Sequence, residues 1–370
     1  MTRVLTTAAV CPPGPPTSGW LAIEDGVIVE VASGAAPTGA VDLGAAVLAP
    51  GFVDIQVNGV GGVDFASADG DDWRRAGRAQ IEEGVTTYCP TLVTAPLDDY
   101  SPALARVRAA QLDAEGQPLP VIAGVHLEGP FLGEAPGAHP VELLRSVDSD
   151  WLSRTVDAFP ELVSLVTLAP EADPDFAGTR LLHERGVRVA LGHSTATYEH
   201  ALAAVDAGAR LVTHLFNGMG PLHHREPGLV GAALDDDRLT PTLIADLVHV
   251  HPAVLRLAMD RKPNIGLVTD RVAVGGLHIT DSGGARLADG TLAGSTLSMQ
   301  RAVRNVVGLG TPVERAIEMA ATIPCAALGL TDRGRIVQGA RADLVALEPG
   351  TLAVRAVWLA GELAAGDMRI

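Results

Sequence analysis

The chain has 370 residues, 47% apolar and 19% charged, enough for a large core and outside the range of disordered or fibrous proteins. A net charge of −17 argues against nucleic acid or an anionic membrane surface as partner, and requires local cations wherever an anion is to bind. Three scattered cysteines (Cys11, Cys89 and Cys325) form no disulfide framework or thiolate zinc site and fit a cytoplasmic setting, and no run approaches the ~20 apolar residues of a membrane span.

The first elements read as β. The runs "VLTTAAV" (4–10), "GWLAIEDGVIVEVAS" (19–33) and "AAVLAP" (45–50) are rich in strand formers, and Asp25-Gly26 marks a hairpin turn. From residue 51 the pattern changes. Apolar runs recur at 51–57, 85–93, 121–128, 163–169, 187–193, 210–215, 240–246 and 265–270. Helical patterns lie between most of them, at 71–83, 98–114, 174–186, 195–208 and 252–262; in the last, Val254, Leu257 and Ala258 give an i, i+3, i+4 stripe. Near-continuous apolar strands alternating with helices imply a parallel sheet covered on both faces, and eight such units imply a closed (β/α)8 barrel of the TIM type. The end of the chain returns to β in "GRIVQGARADLVALEP" (334–349) and "AVRAVWLAGELAA" (353–365). Both ends are expected to pair into a small β-sandwich domain, 1–49 with 335–370, leaving 50–334 as the barrel.

In such a barrel the chemistry sits at the carboxyl ends of the strands. Ionisable residues collect there: His126 and Glu128 in "HLEGP", His193 in "LGHST", His214 in "VTHLFNGM", Asp246 and His249 in "IADLVHVH", and Asp270 in "LVTD". Each alone has an ordinary reading, as a satisfied core histidine, a helix cap or a surface ion pair. Together, two imidazoles and a carboxylate from three strands can converge on one divalent cation, with an aspartate opposite as general base. Zinc and ferrous iron suit such donors alike, and other divalent ions are possible. The loop "PLHHREPG" (221–228) carries His223, His224 and Arg225, a solvated cluster or a phosphate contact. His139 lies in "GEAPGAHP", a Gly/Pro-rich segment that reads as a lid, and Asn217 offers polar contacts. The first strand ends Gln56-x-Asn58, two amides on one side of the strand.

Six stretches in order, "PGFVDIQVNGVGGVDF", "GVHLEGPFL", "GHSTATYEHALAAVDAGA", "THLFNGMGPLHHREPGLVG", "LVTDRVAVGG" and "DGTLAGSTLSM", together resemble the N-acetylglucosamine-6-phosphate deacetylases of the amidohydrolase superfamily. The resemblance spans essentially the whole chain. It implies hydrolysis of the acetamide of N-acetylglucosamine 6-phosphate, one metal ion per subunit on Glu128, His193 and His214, and Asp270 as base and then acid. It implies His139 against the sugar and its carbonyl. It also implies substrate contacts from Asn217, Gly218, His249 and Arg225, the last reaching across a homodimer interface. Where many superfamily members end the first strand in His-x-His, Gln56 and Asn58 stand, the vestige of a second metal position.

Three features depart from the family pattern. Gly218 replaces a more usual alanine, Arg271 stands beside Asp270 where a small residue is common, and the lid lacks a bulky aromatic after Phe131. These leave the sugar epimer open, so that N-acetylgalactosamine 6-phosphate is the alternative substrate. Two further readings compete. Cyclic amidases and isoaspartyl dipeptidases often use a carboxylated lysine, but Lys262 is the only lysine here and lies away from a strand end. A non-catalytic scaffold would be expected to have lost its ligands.

Overall fold

All eight apolar runs in the middle of the chain form strands. In the computed structural model, which describes residues 3–11, 17–273, 275–280 and 283–367, they are Phe52–Val57, Val85–Val93, Val125–Glu128 (preceded by Val121–Ile122), Val163–Leu168, Arg188–Leu191, Leu211–Val212, Thr240–Ile244 and Gly266–Val268. The remaining residues of the expected segments, at both termini and within 12–16, 274 and 281–282, lie outside the described residues. Each strand pairs parallel with the next. Helices at Asp71–Glu82, Leu97–Ala114, Ala177–Glu184, Tyr198–Ala207 and Pro252–Arg261 occupy the expected intervals. Further helices at Ser149–Ala158, Gly228–Asp235 and Met299–Gly308 fill others. The first is typical: Trp73, Ala76 and Ile81 face inward, while Asp71 and Asp72 sit in the first turn, where the helix dipole favours acids.

The last and first strands close the barrel through a polar seam. Asp270 N donates to Gln56 O at 2.9 Å, and Asn58 N donates to Arg271 O at 2.7 Å. Asp54 adds its side chain to this ladder. Its Oδ1 accepts from Thr269 N and Gln56 N, both at 3.3 Å, and its Oδ2 accepts from Thr269 Oγ1 at 2.5 Å. The carboxyl is 1% exposed. Burial pushes it up to about 7, against the pull of those three donors.

The chain ends build a second, mostly antiparallel sheet. Strands Arg3–Val10, Thr17–Glu24, Val27–Ser33 and Val47–Pro50 join Leu344–Leu347, Val354–Leu359 and Glu362–Gly366. The Asp25-Gly26 turn has positive φ at both residues, as a tight hairpin requires. Strands from the two ends alternate between two cores. Leu48, Leu344, Ala346, Ala356 and Trp358 pack with Leu5, Leu21 and Ile28 in the terminal core, whereas Ala49, Val345, Leu347, Val357 and Leu359 join the barrel core. The expected β run from residue 334 begins as strand only at Leu344. Gly334 and Gly339 take φ of 77° and 88°, bending "GRIVQGAR" into a loop that buries Ile336 in the terminal core. A three-stranded antiparallel insertion, His278–Ile279, Gly284–Arg286 and Leu292–Ser295, follows the eighth strand and carries too few alternating residues to be foreseen.

The Asp54 carboxyl is held above its unfolded value of 3.8, so the fold favours its protonated form. That contribution is fully present below about pH 4 and is lost as the pH rises through about 7. The thermal midpoint of the wild type, measured relative to Asp54→Asn, should therefore fall between those pH values and level off above them. Parallel midpoint curves for the two proteins would contradict this account.

Candidate active site

Three of the expected residues share an uncommon backbone. His193, His214 and Asp270 have φ of 49°, 30° and 48°, the left-handed region that non-glycine residues rarely adopt. Each stands where its strand has just ended. The turn aims the side chain over the barrel mouth instead of along the strand, at a cost in backbone strain of order 1 kcal/mol each. Glu128 arrives differently, as the last residue of its own strand.

These residues meet. Glu128 Oε1 is 3.2 Å from His193 Nε2 and 3.0 Å from His214 Nε2, and the two nitrogens are 3.1 Å apart. All three side chains are buried. Burial pushes Glu128 up, but the two imidazoles on its oxygen outweigh that and hold it well below the usual carboxylate range. His214 is pulled down by burial and pushed up more strongly by Glu128, ending above its ordinary value. His193 Nδ1 lies 3.1 Å from the Ala135 carbonyl, an acceptor only, so Nδ1 donates there and Nε2 is the nitrogen turned toward Glu128. One carboxylate oxygen and two Nε2 atoms within 3.2 Å of one another form a donor set suited to a divalent cation.

His139 is a fourth member. Glu128, His139 and His193 offer donor atoms all within 4.8 Å of one another, and the His139 and His193 rings pack edge to face at 4.5 Å. His139 Nδ1 is 2.8 Å from Thr94 Oγ1. Burial, followed by the neighbouring His193, pulls His139 down to about 3, so it stays neutral.

Across from this group stands Asp270, held by both amides of the first strand. Asn58 Nδ2 donates to Asp270 Oδ1 at 2.8 Å. Gln56 Nε2 donates to Asp270 Oδ1 at 3.3 Å and to Glu128 Oε1 at 3.0 Å, linking the two carboxylates through one NH2 group. Burial, and next the charge on Glu128, push Asp270 up to about 6, which leaves it ionised yet able to take a proton near neutrality.

The group opens into a cleft of about 540 Å3, lined by Asn58, Glu128, His139, His193, His214, Asn217, Gly218, His249 and Asp270 among others. Gly218 passes close to the His193 ring. Its φ is 60°, and a Cβ there would lie 2.6 Å from His193 Nδ1. Arg225 alone of the expected contacts is outside: within one chain it is exposed, with Nη1 3.1 Å from His224 Nε2. Lys262 is also remote, its Nζ donating to Asp236 O at 2.5 Å.

Supporting residues complete the site, and of these Thr94 and Glu171 escaped the sequence reading. Asp246 accepts from His249 Nδ1 at 2.7 Å and from the backbone N–H of Val248 and His249, aiming that ring into the cleft. Glu171 accepts from Ser194 Oγ at 2.6 Å and Thr195 N at 2.8 Å, bracing the turn after His193. Thr94 and Glu171 each follow a strand end, the signal that could have found them. His126 sits below the mouth, its nitrogens satisfied by Thr91 (3.3 Å) and Thr167 (2.7 Å), and burial pulls it down to about 4.

Residues 47–364 match the family model described as "Amidohydrolase family". Among curated proteins, the N-acetylgalactosamine-6-phosphate deacetylase of Escherichia coli O157:H7 is 40% identical, covering 94% of this chain and 96% of its own. The N-acetylglucosamine-6-phosphate deacetylase of Danio rerio is 39% identical, covering 85% and 84%. Among solved structures, N-acetyl-D-glucosamine-6-phosphate deacetylase from Mycobacterium smegmatis superposes with a TM-score of 0.91 at 37% identity, over 98% of this chain and 100% of the other. The enzyme from Thermotoga maritima gives 0.87 at 32%, over 98% and 100%. The chain belongs to the amidohydrolase family.

Proposed function

We propose that this chain hydrolyses the acetamide of N-acetylglucosamine 6-phosphate, releasing glucosamine 6-phosphate and acetate. The observation that carries the reading is the meeting of Glu128, His193 and His214 opposite an Asp270 held by Gln56 and Asn58, in a chain similar throughout its length to amino-sugar-phosphate deacetylases. Glu128, His193 and His214 would hold one divalent ion, zinc or ferrous iron, which supplies Lewis-acid polarisation and acidifies water. Asp270 takes the proton from the attacking water and returns it to the departing nitrogen. His139, neutral and tied to Thr94, contacts the sugar and the acetamide carbonyl. Asn217, Gly218 and His249 bind the sugar phosphate, with Arg225 supplied by the second subunit of a homodimer. Gln56 and Asn58 replace the imidazoles of a second metal position, and amides are poor ligands there. A single-metal mechanism follows.

The boundaries 1–49 with 335–370, and 50–334, are offered as the two domains, supported by the two separate cores. The three scattered free cysteines support a cytoplasmic site of action; no helix among the described residues is long and apolar enough to cross a membrane. The second substrate reading is N-acetylgalactosamine 6-phosphate, favoured by a relative acting on that epimer that covers 94% of the chain. Acetate release from both 6-phosphates and from free N-acetylglucosamine decides among these substrates. A chain that releases acetate from none of them would refute the deacetylase reading.

Either His193→Ala or His214→Ala should remove bound metal, measured by elemental analysis, together with deacetylation; retained metal and rate would refute the ligand set. Asp270→Asn should keep the metal and slow turnover by about a hundredfold to ten-thousandfold. Near-normal turnover would sink the general-base role. Arg225→Ala should raise KM for the phosphorylated sugar far more than for the unphosphorylated one, and an equal rise for both would contradict phosphate recognition.

A further inference from the structure

Arg271 follows Asp270 directly, and its side chain turns to another part of the molecule. Its Nη1 donates to both oxygens of Glu83, at 2.7 and 2.6 Å. Glu83 caps the C-terminus of helix Asp71–Glu82. Both side chains are about three-quarters buried, at 22% and 26% exposure, so the pair is shielded from solvent compared with ordinary surface pairs. Burial pushes Glu83 up and the Arg271 guanidinium pulls it only part of the way back, leaving it above its ordinary value.

The main chain of the same residue is stitched on two sides. Asn58 N and Gly59 N both donate to Arg271 O, at 2.7 and 3.0 Å. On the other side Ser295 N donates to Asp270 O at 2.9 Å, and Val272 N donates to Ser295 O at 3.1 Å. Asn58 therefore touches both neighbours: its backbone holds the Arg271 carbonyl and its side chain holds the Asp270 carboxylate. Asp270 itself sits in the left-handed region, a conformation that persists only where the surroundings fix it.

We propose that the Arg271–Glu83 pair is a positioning clamp for Asp270. It anchors the peptide after the base to the helix Asp71–Glu82, and so keeps the strained turn, and the reach of the carboxylate toward the Glu128, His193 and His214 group, in one arrangement. Neither Arg271 nor Glu83 lines the cleft. Their effect passes through the 270–271 backbone and Asn58. The inference rests on Asp270 being the general base.

The test uses the metal-loaded enzyme with N-acetylglucosamine 6-phosphate, and compares Arg271→Ala, Glu83→Gln, Arg271→Lys and the swap Glu83→Arg/Arg271→Glu, with Asp270→Asn as control. Since a misplacement near 1 Å costs about a hundredfold in rate, Arg271→Ala and Glu83→Gln should each lower kcat by about ten- to hundredfold, with KM within about twofold and metal content unchanged. Arg271→Lys should fall between wild type and Arg271→Ala, and the swap should recover about tenfold or more of the loss. Unchanged kcat in the single variants overturns the clamp. So does a fall in thermal midpoint with kcat of the folded enzyme intact, since that marks a merely structural pair. If Asp270→Asn is inactive while Arg271→Ala is normal, only the clamp fails; if Asp270→Asn turns over normally, the assignment of the base fails with it.

Discussion

The site depends on how the barrel closes. A parallel barrel needs its last strand to find its first, and here the joining edge is polar at the end where the chemistry lies. Gln56, Asn58, Thr269, Asp270 and Arg271 form the seam, with the buried Asp54 beneath. The constraint is electrostatic. Glu128 and Asp270 are carboxylates that share one buried mouth, and burial, followed by their repulsion, raises Asp270. Gln56 relieves it with a neutral NH2 group that donates to both. A cation at this position would hold Asp270 as a weaker base. An apolar residue would take one donor away from each oxygen. An amide keeps the two acids close while leaving one of them able to titrate near neutrality.

The second constraint is conformational. Three residues of the group adopt left-handed backbone, and each is held by contacts that come from other strands or loops. The His193 turn is braced by Glu171 and by the Ala135 carbonyl of segment 133–140. His214 N donates to Thr242 Oγ1 on the next strand. Asp270 leans on the first strand and the insertion around Ser295. Strain at the mouth is thus distributed over neighbours that are themselves well packed, the arrangement expected where side-chain direction matters more than local stability.

The barrel was legible because a strand buried on both faces must be apolar along its length, and the interruptions by Glu128, His193, His214 and Asp270 at one end stand out against that background. The contacts that tune them were not. Glu83 and Arg271 are 188 positions apart, and Gln56 and Asp270 are 214 apart. Nothing local in either sequence neighbourhood announces such a pair. Asp54 reads as an ordinary polar position within a strand, although its burial and its acceptor role at the seam exist only once Thr269 arrives. Asp246 was visible as a strand-end acid, but its role depends on a turn that brings His249 back onto it within three residues. The loop at 334–343 read as strand because the strand formers Ile336 and Val337 run on toward Leu344–Leu347, whereas two positive-φ glycines decide its path.

The terminal sheet has a consequence for the order of events on the ribosome. Strand Val47–Pro50 pairs with Arg3–Val10 on one side and with Leu344–Leu347 on the other, and its side chains feed both cores. Until residues 344–366 are synthesised, that edge carries unpaired backbone groups and bare apolar surface on two faces. The nascent chain must hold a nearly complete barrel beside an open sheet, a state prone to wrong pairing with other chains. Sequestering that edge during synthesis, as a chaperone can, is a demand that the catalytic barrel alone would not make.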